Sequence, residues 1–164
     1  MKQIDPYEFD FLGGKNNGYL FTVQRGTTYE VKFKPSGYLF DSAQPFVDSV
    51  FEMVLLPINP DVDKEKSLDA RILPTVVAII RDFFIQKEKV LLYVCENKDG
   101  KGPLPNRKFD QWFRLYNLDN HFKFDFVITN GQERYLNSVI GRIDNPYKTE
   151  ITVACFELAE DNSK

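Results

Sequence analysis

The first third of the chain alternates between apolar and polar positions. In PYEFDFLGG, Tyr7, Phe9 and Phe11 fall on one side, and the run breaks at Gly13-Gly14. GYLFTVQRGTTYEVKFKPSG holds two β-rich runs around an Arg25-Gly26 turn, closed by Pro35-Ser36-Gly37. Tyr29, Val31 and Phe33 share a face there. Such period-two alternation, bounded by glycine and proline, predicts strands, because successive side chains of a strand point to opposite faces. SVFEMVLLPIN predicts a further strand, stopped by Pro57 and Pro60.

The period then changes. DVDKEKSLDAR is charged, carries no glycine and reads as an exposed connection. From about residue 69 to 87, Ile72, Leu73, Val76, Val77, Ile80, Phe83 and Phe84 follow the i, i+3, i+4, i+7 spacing of a helix. Pro74 suits a first turn, where N–H groups lack helical partners, so the helix starts near Asp69 or at Pro74 itself. KVLLYVC follows as a continuous apolar run of strand length, the signature of a strand covered on both faces. A second helix is predicted over about 106–117, with Phe109, Trp112, Phe113 and Tyr116 on one stripe. HFKFDFVITNGQERYLNSVIGR predicts a hairpin around Asn130-Gly131, and TEITVACFELAE a last strand.

This order predicts an α+β fold: an N-terminal antiparallel β-meander, then helix–strand–helix, then a C-terminal hairpin and strand. The helix between two strands predicts a local parallel pairing in a mostly antiparallel sheet. We expect one domain over residues 1–160 and a polar tail over 161–164. A homodimer would form through an edge strand such as 149–158.

Composition changes this picture little. At 164 residues, a chain buries enough surface to need no disulfide or metal staple. The net charge of −3 argues against a dedicated nucleic-acid binder and leaves room for a local basic patch. Cys95 and Cys155 each sit in an apolar run without metal or redox spacing, which predicts free thiols in a reducing compartment. The opening MKQIDPYEFDF lacks the apolar core of a signal peptide. No apolar run reaches the roughly 18 residues of a spanning helix, so we expect a cytoplasmic protein and no membrane partner.

The candidate chemistry gathers in VCENKDGKGPLPNRKFDQWF. The loop 96–105 leaves the carboxyl end of an expected central strand, the edge where sheets with helix crossovers gather ligands. Arg107 and Lys108 open the next helix with the wrong sign for its dipole, at a cost of about 0.3–1 kcal/mol each. Lys98 and Lys101 add positive charge nearby. An anion held at the helix start would reverse that repulsion. The plainer alternative has Asn106 capping the helix while Arg107 pairs with Asp110, and Lys108 with Glu96 or Asp99. Weaker candidates are Cys95 with His121, the only histidine, as nucleophile and base. Glu30-Val31-Lys32 with Asp10 imitates half of a metal-dependent nuclease site, and Trp112 offers a base-stacking face. We expect no metal and no cofactor.

Two resemblances bear on function. YLFTVQRGTTYEVKFKPSGYLF, ILPTVVAIIRDFF, VLLYVCENKDGKG and RKFDQWF resemble an uncharacterised family of small bacterial proteins, a domain of unknown function; this implies no activity. The order strand–helix–strand–helix–hairpin from Val50 to Gly141 is similar to the core of the GCN5-related acetyltransferases. That likeness implies that helix 69–87 would hold the pyrophosphate of acetyl-CoA and that strand 89–95 would end beside the thioester. The chain departs from the family where its chemistry resides. DKEKSLDARIL has no glycine for a pyrophosphate loop, and Phe113 stands where the general-acid tyrosine would, leaving Tyr116 as the nearest hydroxyl. The expectation is a non-enzymatic binding domain for a nucleotide, a nucleic acid or an acidic protein. The alternative is an acyltransferase-like enzyme with a degenerate cofactor motif.

Overall fold

The computed structural model describes residues 4–59, 69–95, 111, 114 and 120–161. Within them lie seven strands: β1 Asp10–Gly13, β2 Gly18–Thr22, β3 Thr28–Pro35, β4 Val50–Pro57, β5 Val90–Cys95, β6 His121–Asn130 and β7 Glu133–Arg142. Two helices accompany them, α1 Ile72–Phe83 and α2 Lys148–Asp161. The hydrogen-bonded strand order is β1-β2-β3-β4-β5-β7-β6. The fold is α+β. Two compact units divide the chain, one from Met1–Lys34 with Met53–Ile85, the other from Pro35–Glu52 with Gln86–Lys164.

In the first unit the alternation does what it predicts. Tyr19 pairs with Val31 and Phe21 with Tyr29 across β2 and β3, so their side chains share one face. Val31 and Phe33 are fully buried on it. Gly26, at φ 97, sits in the turn between the strands. α1 lies on this face: Phe83 stacks on Phe33 with centroids 4.1 Å apart and planes 12° apart. Val76, Val77, Ile80 and Phe83 are buried, and so is Phe84 just past the helix. α1 is shorter than the 69–87 expected. The N–H of Phe84 still reaches the Ile80 carbonyl, but that of Ile85 turns to Asp82, and the helix closes there.

In the second unit β4 and β5 run parallel, Val50 opposite Val90. β5 pairs antiparallel with β7, and β7 with β6. Val90, Leu91 and Leu92 are all fully buried, so both faces of β5 are covered, as its unbroken apolar run requires. The hairpin turns through Gly131 and Gln132, because Asn130 pairs with Glu133. Gly131, at φ 64, takes the first loop position, where a tight hairpin of type II′ wants glycine.

The segment expected as a last strand is a helix, α2. Ile151, Ala154 and Cys155 are buried at helical spacing, and Leu158 packs partly behind them. Asn145 starts the helix: its side-chain oxygen accepts the Tyr147 N–H at 2.9 Å, and its side-chain nitrogen donates to the Glu88 carbonyl at 3.2 Å. The expectation of a dimer edge at 149–158 falls with the strand. The second expected helix, 106–117, lies outside the described residues except for Gln111 and Arg114, which are helical. Among the described residues no helix is long and apolar enough to cross a membrane.

Candidate functional site

Lys98, Lys101, Arg107, Lys108, Trp112 and Tyr116 lie outside the described residues. What the structure does place is the origin of that segment. β5 ends at Cys95, opposite Leu136 of β7. The chain therefore leaves the sheet at the carboxyl end of a strand with a parallel neighbour on one side and an antiparallel one on the other.

The weaker candidates are not brought together. Cys95 is opposite Leu136, whereas His121 is opposite Arg142. Six residues of β7 separate those positions, about 20 Å at strand rise, so the register assembles no cysteine–histidine dyad. His121 is half-buried, with both ring nitrogens shielded from solvent. In the first unit, Glu30 is held by Lys32 at 3.1 Å. Asp10 and Glu30 flank Leu20 from opposite sides, which puts their backbones about 10 Å apart. The Leu20 side chain lies between theirs on the same face, and Glu30 is already engaged by Lys32.

The start of α1 carries a polar cluster that no local sequence pattern announces. The Tyr7 hydroxyl donates to the Asp69 carboxylate and accepts the Gln24 N–H at 3.1 Å. Asp69 also accepts the Arg71 N–H at 2.8 Å, and its carbonyl takes that of Ile72. The Arg71 guanidinium lies 3.9 Å over the Tyr7 ring and donates to the carbonyls of Asp5 and Pro6. The Tyr7 N–H reaches the Thr75 hydroxyl at 2.8 Å. This bears on the acyltransferase likeness. A helix N-terminus binds a pyrophosphate through free N–H groups and a partial positive charge. Here Asp69 engages the donors of Arg71 and Ile72, Pro74 has none, and a carboxylate already stands at the helix start.

A second tyrosine–carboxylate pair holds the other end of α1: Tyr19 donates to Asp82 at 2.6 Å. Burial, then the bond to Asp82, pushes the Tyr19 phenol well above its ordinary value. Burial, then the bond to Asp69, raises that of Tyr7. In the second unit, burial alone pushes the Cys155 thiol up to about 12, so it remains a protonated, inert thiol at neutral pH. Unfolded, the thiol releases its proton from about pH 9 and the phenols from about pH 10, while the native groups retain theirs. The unfolded state then binds fewer protons, so stability is complete below that window and falls as pH rises through it. We expect the urea midpoint to drop between about pH 8 and about pH 11, and Tyr19→Phe to remove part of the slope. A midpoint that is flat over that range would contradict these buried environments.

On the sheet of the second unit, Asp125 of β6 stands opposite Ser138 of β7. The Ser138 hydroxyl donates to Asp125 at 2.6 Å, and the Lys123 ammonium meets the same oxygen at 2.6 Å. No sequence motif singles out these three. Lys123 and Asp125 share a face through their spacing on β6, and the hairpin register brings Ser138 beside them.

Compared with known proteins, residues 68–157 match the model of the Family of unknown function (DUF6169). No curated protein and no solved structure matches the chain.

Proposed function

We propose, for a chain that belongs to this family of unknown function, a non-enzymatic binding domain that recognises an anionic group where β5 leaves the sheet. One observation carries the reading: Cys95 ends a central strand beside a parallel partner. The sequence that continues from it carries Lys98, Lys101, Arg107 and Lys108. Several described polar groups serve the fold. Tyr7, Asp69 and Arg71 fasten one end of α1, Tyr19 and Asp82 the other, and Cys155 is buried. The anion would belong to a nucleotide, a nucleic acid or an acidic protein in the cytoplasm.

Immobilised heparin tests the reading. A chain of net charge −3 has no general reason to bind a polyanion, so retention reports a local basic surface. We expect retention at low salt, release as salt screens the contacts, and early elution of Arg107→Gln/Lys108→Gln. The reading fails if the parent passes unretained. It fails equally if the double variant is merely more stable, as relief of dipole repulsion would make it, with its retention unchanged. A second reading, an acyltransferase-like architecture, draws support from the parallel β4–β5 pair joined through α1. It requires acetyl-CoA to raise the melting temperature, and the carboxylate of Asp69 at the helix start speaks against that.

A further inference from the structure

We propose that the outer face of α2 docks a cationic amphipathic helix of a partner protein. α2 carries apolar residues on both of its sides. Ile151, Ala154 and Cys155 pack into the core and are at most 5% exposed, whereas Val153 and Phe156 are 50% and 53% exposed. A helix at a protein surface confines its apolar residues to the stripe that faces the core, and one that is apolar all round is a buried helix. Val153 and Phe156 are three residues apart, so they are neighbours on the helix surface. Phe156 also meets the half-buried Phe124 ring of β6, with centroids 4.7 Å apart. The apolar patch therefore runs from the helix onto the sheet.

Charge and geometry select the occupant. Glu150 and Glu157 are both exposed, and their spacing of seven residues places them two turns apart on one flank of the apolar pair. The Lys148 ammonium lies on the opposite flank, 5.8 Å from the centroid of the Phe122 ring. The face thus offers apolar contact bordered by negative charge. A strand gains little from it, because strand addition needs the backbone edge of a sheet. A second helix can set its side chains between Val153 and Phe156 as ridges enter grooves. Lysines or arginines beside its apolar face would then meet Glu150 and Glu157. A second copy of α2 would instead gather four glutamates around one contact, and like charges so placed suppress a partner. An anionic membrane surface meets the same repulsion.

Fluorescence anisotropy decides, with the full chain titrated into a labelled peptide that carries leucines along one helical face and lysines beside them. At about 18 residues, such a peptide is long enough to sustain a helix. The parent should bind it saturably and release it as salt rises. The same peptide with glutamate in place of every lysine should not bind. Val153→Glu should weaken binding roughly tenfold, by setting a charge within the apolar contact, and should leave the melting temperature unchanged. Glu150→Lys/Glu157→Lys should reverse the preference, losing the lysine peptide and gaining the glutamate one. That exchange separates loss of the face from loss of the fold. A lysine peptide that does not bind overturns the proposal. So does binding indifferent to Val153→Glu or to the charge reversal, which would mark only a general attraction of cations to an acidic chain. A parent dimer that Val153→Glu dissociates gives the face to a second copy and overturns it too, as does Val153-dependent binding to phosphatidylserine vesicles.

Discussion

Phe83→Ala lowers the unfolding free energy by about 3–5 kcal/mol, the range for emptying a buried aromatic site. The expectation rests on what surrounds the ring. Phe83 is 2% exposed, stacks on Phe33 at 4.1 Å and meets Phe84 edge-on at 5.1 Å. Phe33 is fully buried and in turn takes the Tyr19 ring edge-on at 5.8 Å. Removing Phe83 thus forfeits the transfer of a large apolar surface and leaves a cavity under β3. It also breaks two ring contacts worth about 0.5–1.5 kcal/mol each beyond their area. Helix propensity works the other way, because alanine is the better helix former, so the loss measures packing alone. Ile85→Ala, two residues on, is the control. Ile85 is 71% exposed, and its truncation should stay within about 0.5 kcal/mol. Urea denaturation followed by circular dichroism gives both values. A loss below about 1 kcal/mol for Phe83→Ala would mean that α1 does not pack on β3 through these rings.

That pair was legible in the sequence from each side separately. Tyr29, Val31 and Phe33 alternate, which a strand with one buried face requires, and Val76, Val77, Ile80 and Phe83 recur at helical spacing. Periodicity is a local property, so it survives the absence of a structure. The hairpin at Gly131 and the parallel pairing across α1 were legible for similar reasons, one from turn chemistry and one from the order of elements. α2 was misread because Ile151, Thr152 and Val153 favour strands by composition. Ile151, Ala154, Cys155 and Leu158 carried the helical spacing all the while, behind the Asn145-Pro146 start. Packing of that stripe on β6 and β7 overrode the preference of three residues. The insertion of β7 between β5 and β6, and the Tyr7–Asp69 and Tyr19–Asp82 pairs, join residues far apart in the chain. No local pattern encodes them. Of the candidate site, the sequence disclosed where its strand ends and which charges follow. It could not disclose that Asp69 engages donors at the start of α1, because that depends on where a side chain turns.

Gly37→Ala should be among the most damaging single-methyl additions in this protein, destabilising it by about 3 kcal/mol, at the upper end for overpacking. A Cβ at Gly37 would stand 2.0 Å from the Val47 carbonyl oxygen, 2.8 Å from its Cγ2 and 2.9 Å from its carbonyl carbon. Two of those three atoms are backbone, so no rotamer change relieves the clash. The chain itself must move, and it is pinned on both sides. The Ser36 N–H is bound to the Val50 carbonyl at 2.9 Å, and the Phe40 N–H to that of Gly37 at 3.0 Å. Beneath the two facing turns, Gly37–Leu39 and Val47–Ser49, Phe40 and Phe46 meet edge-on at 5.2 Å, and Phe46 is fully buried. Opening the gap would draw Phe46 out of the core that Val50, Val90 and Leu92 share. Gly14 isolates the cause. At φ 76, a methyl group added there would meet nothing within 4 Å, so Gly14→Ala tests backbone conformation without crowding and should cost only about 1–2 kcal/mol. Should Gly37→Ala prove the milder of the two in urea denaturation, the close approach of these turns is not what holds this corner of the fold.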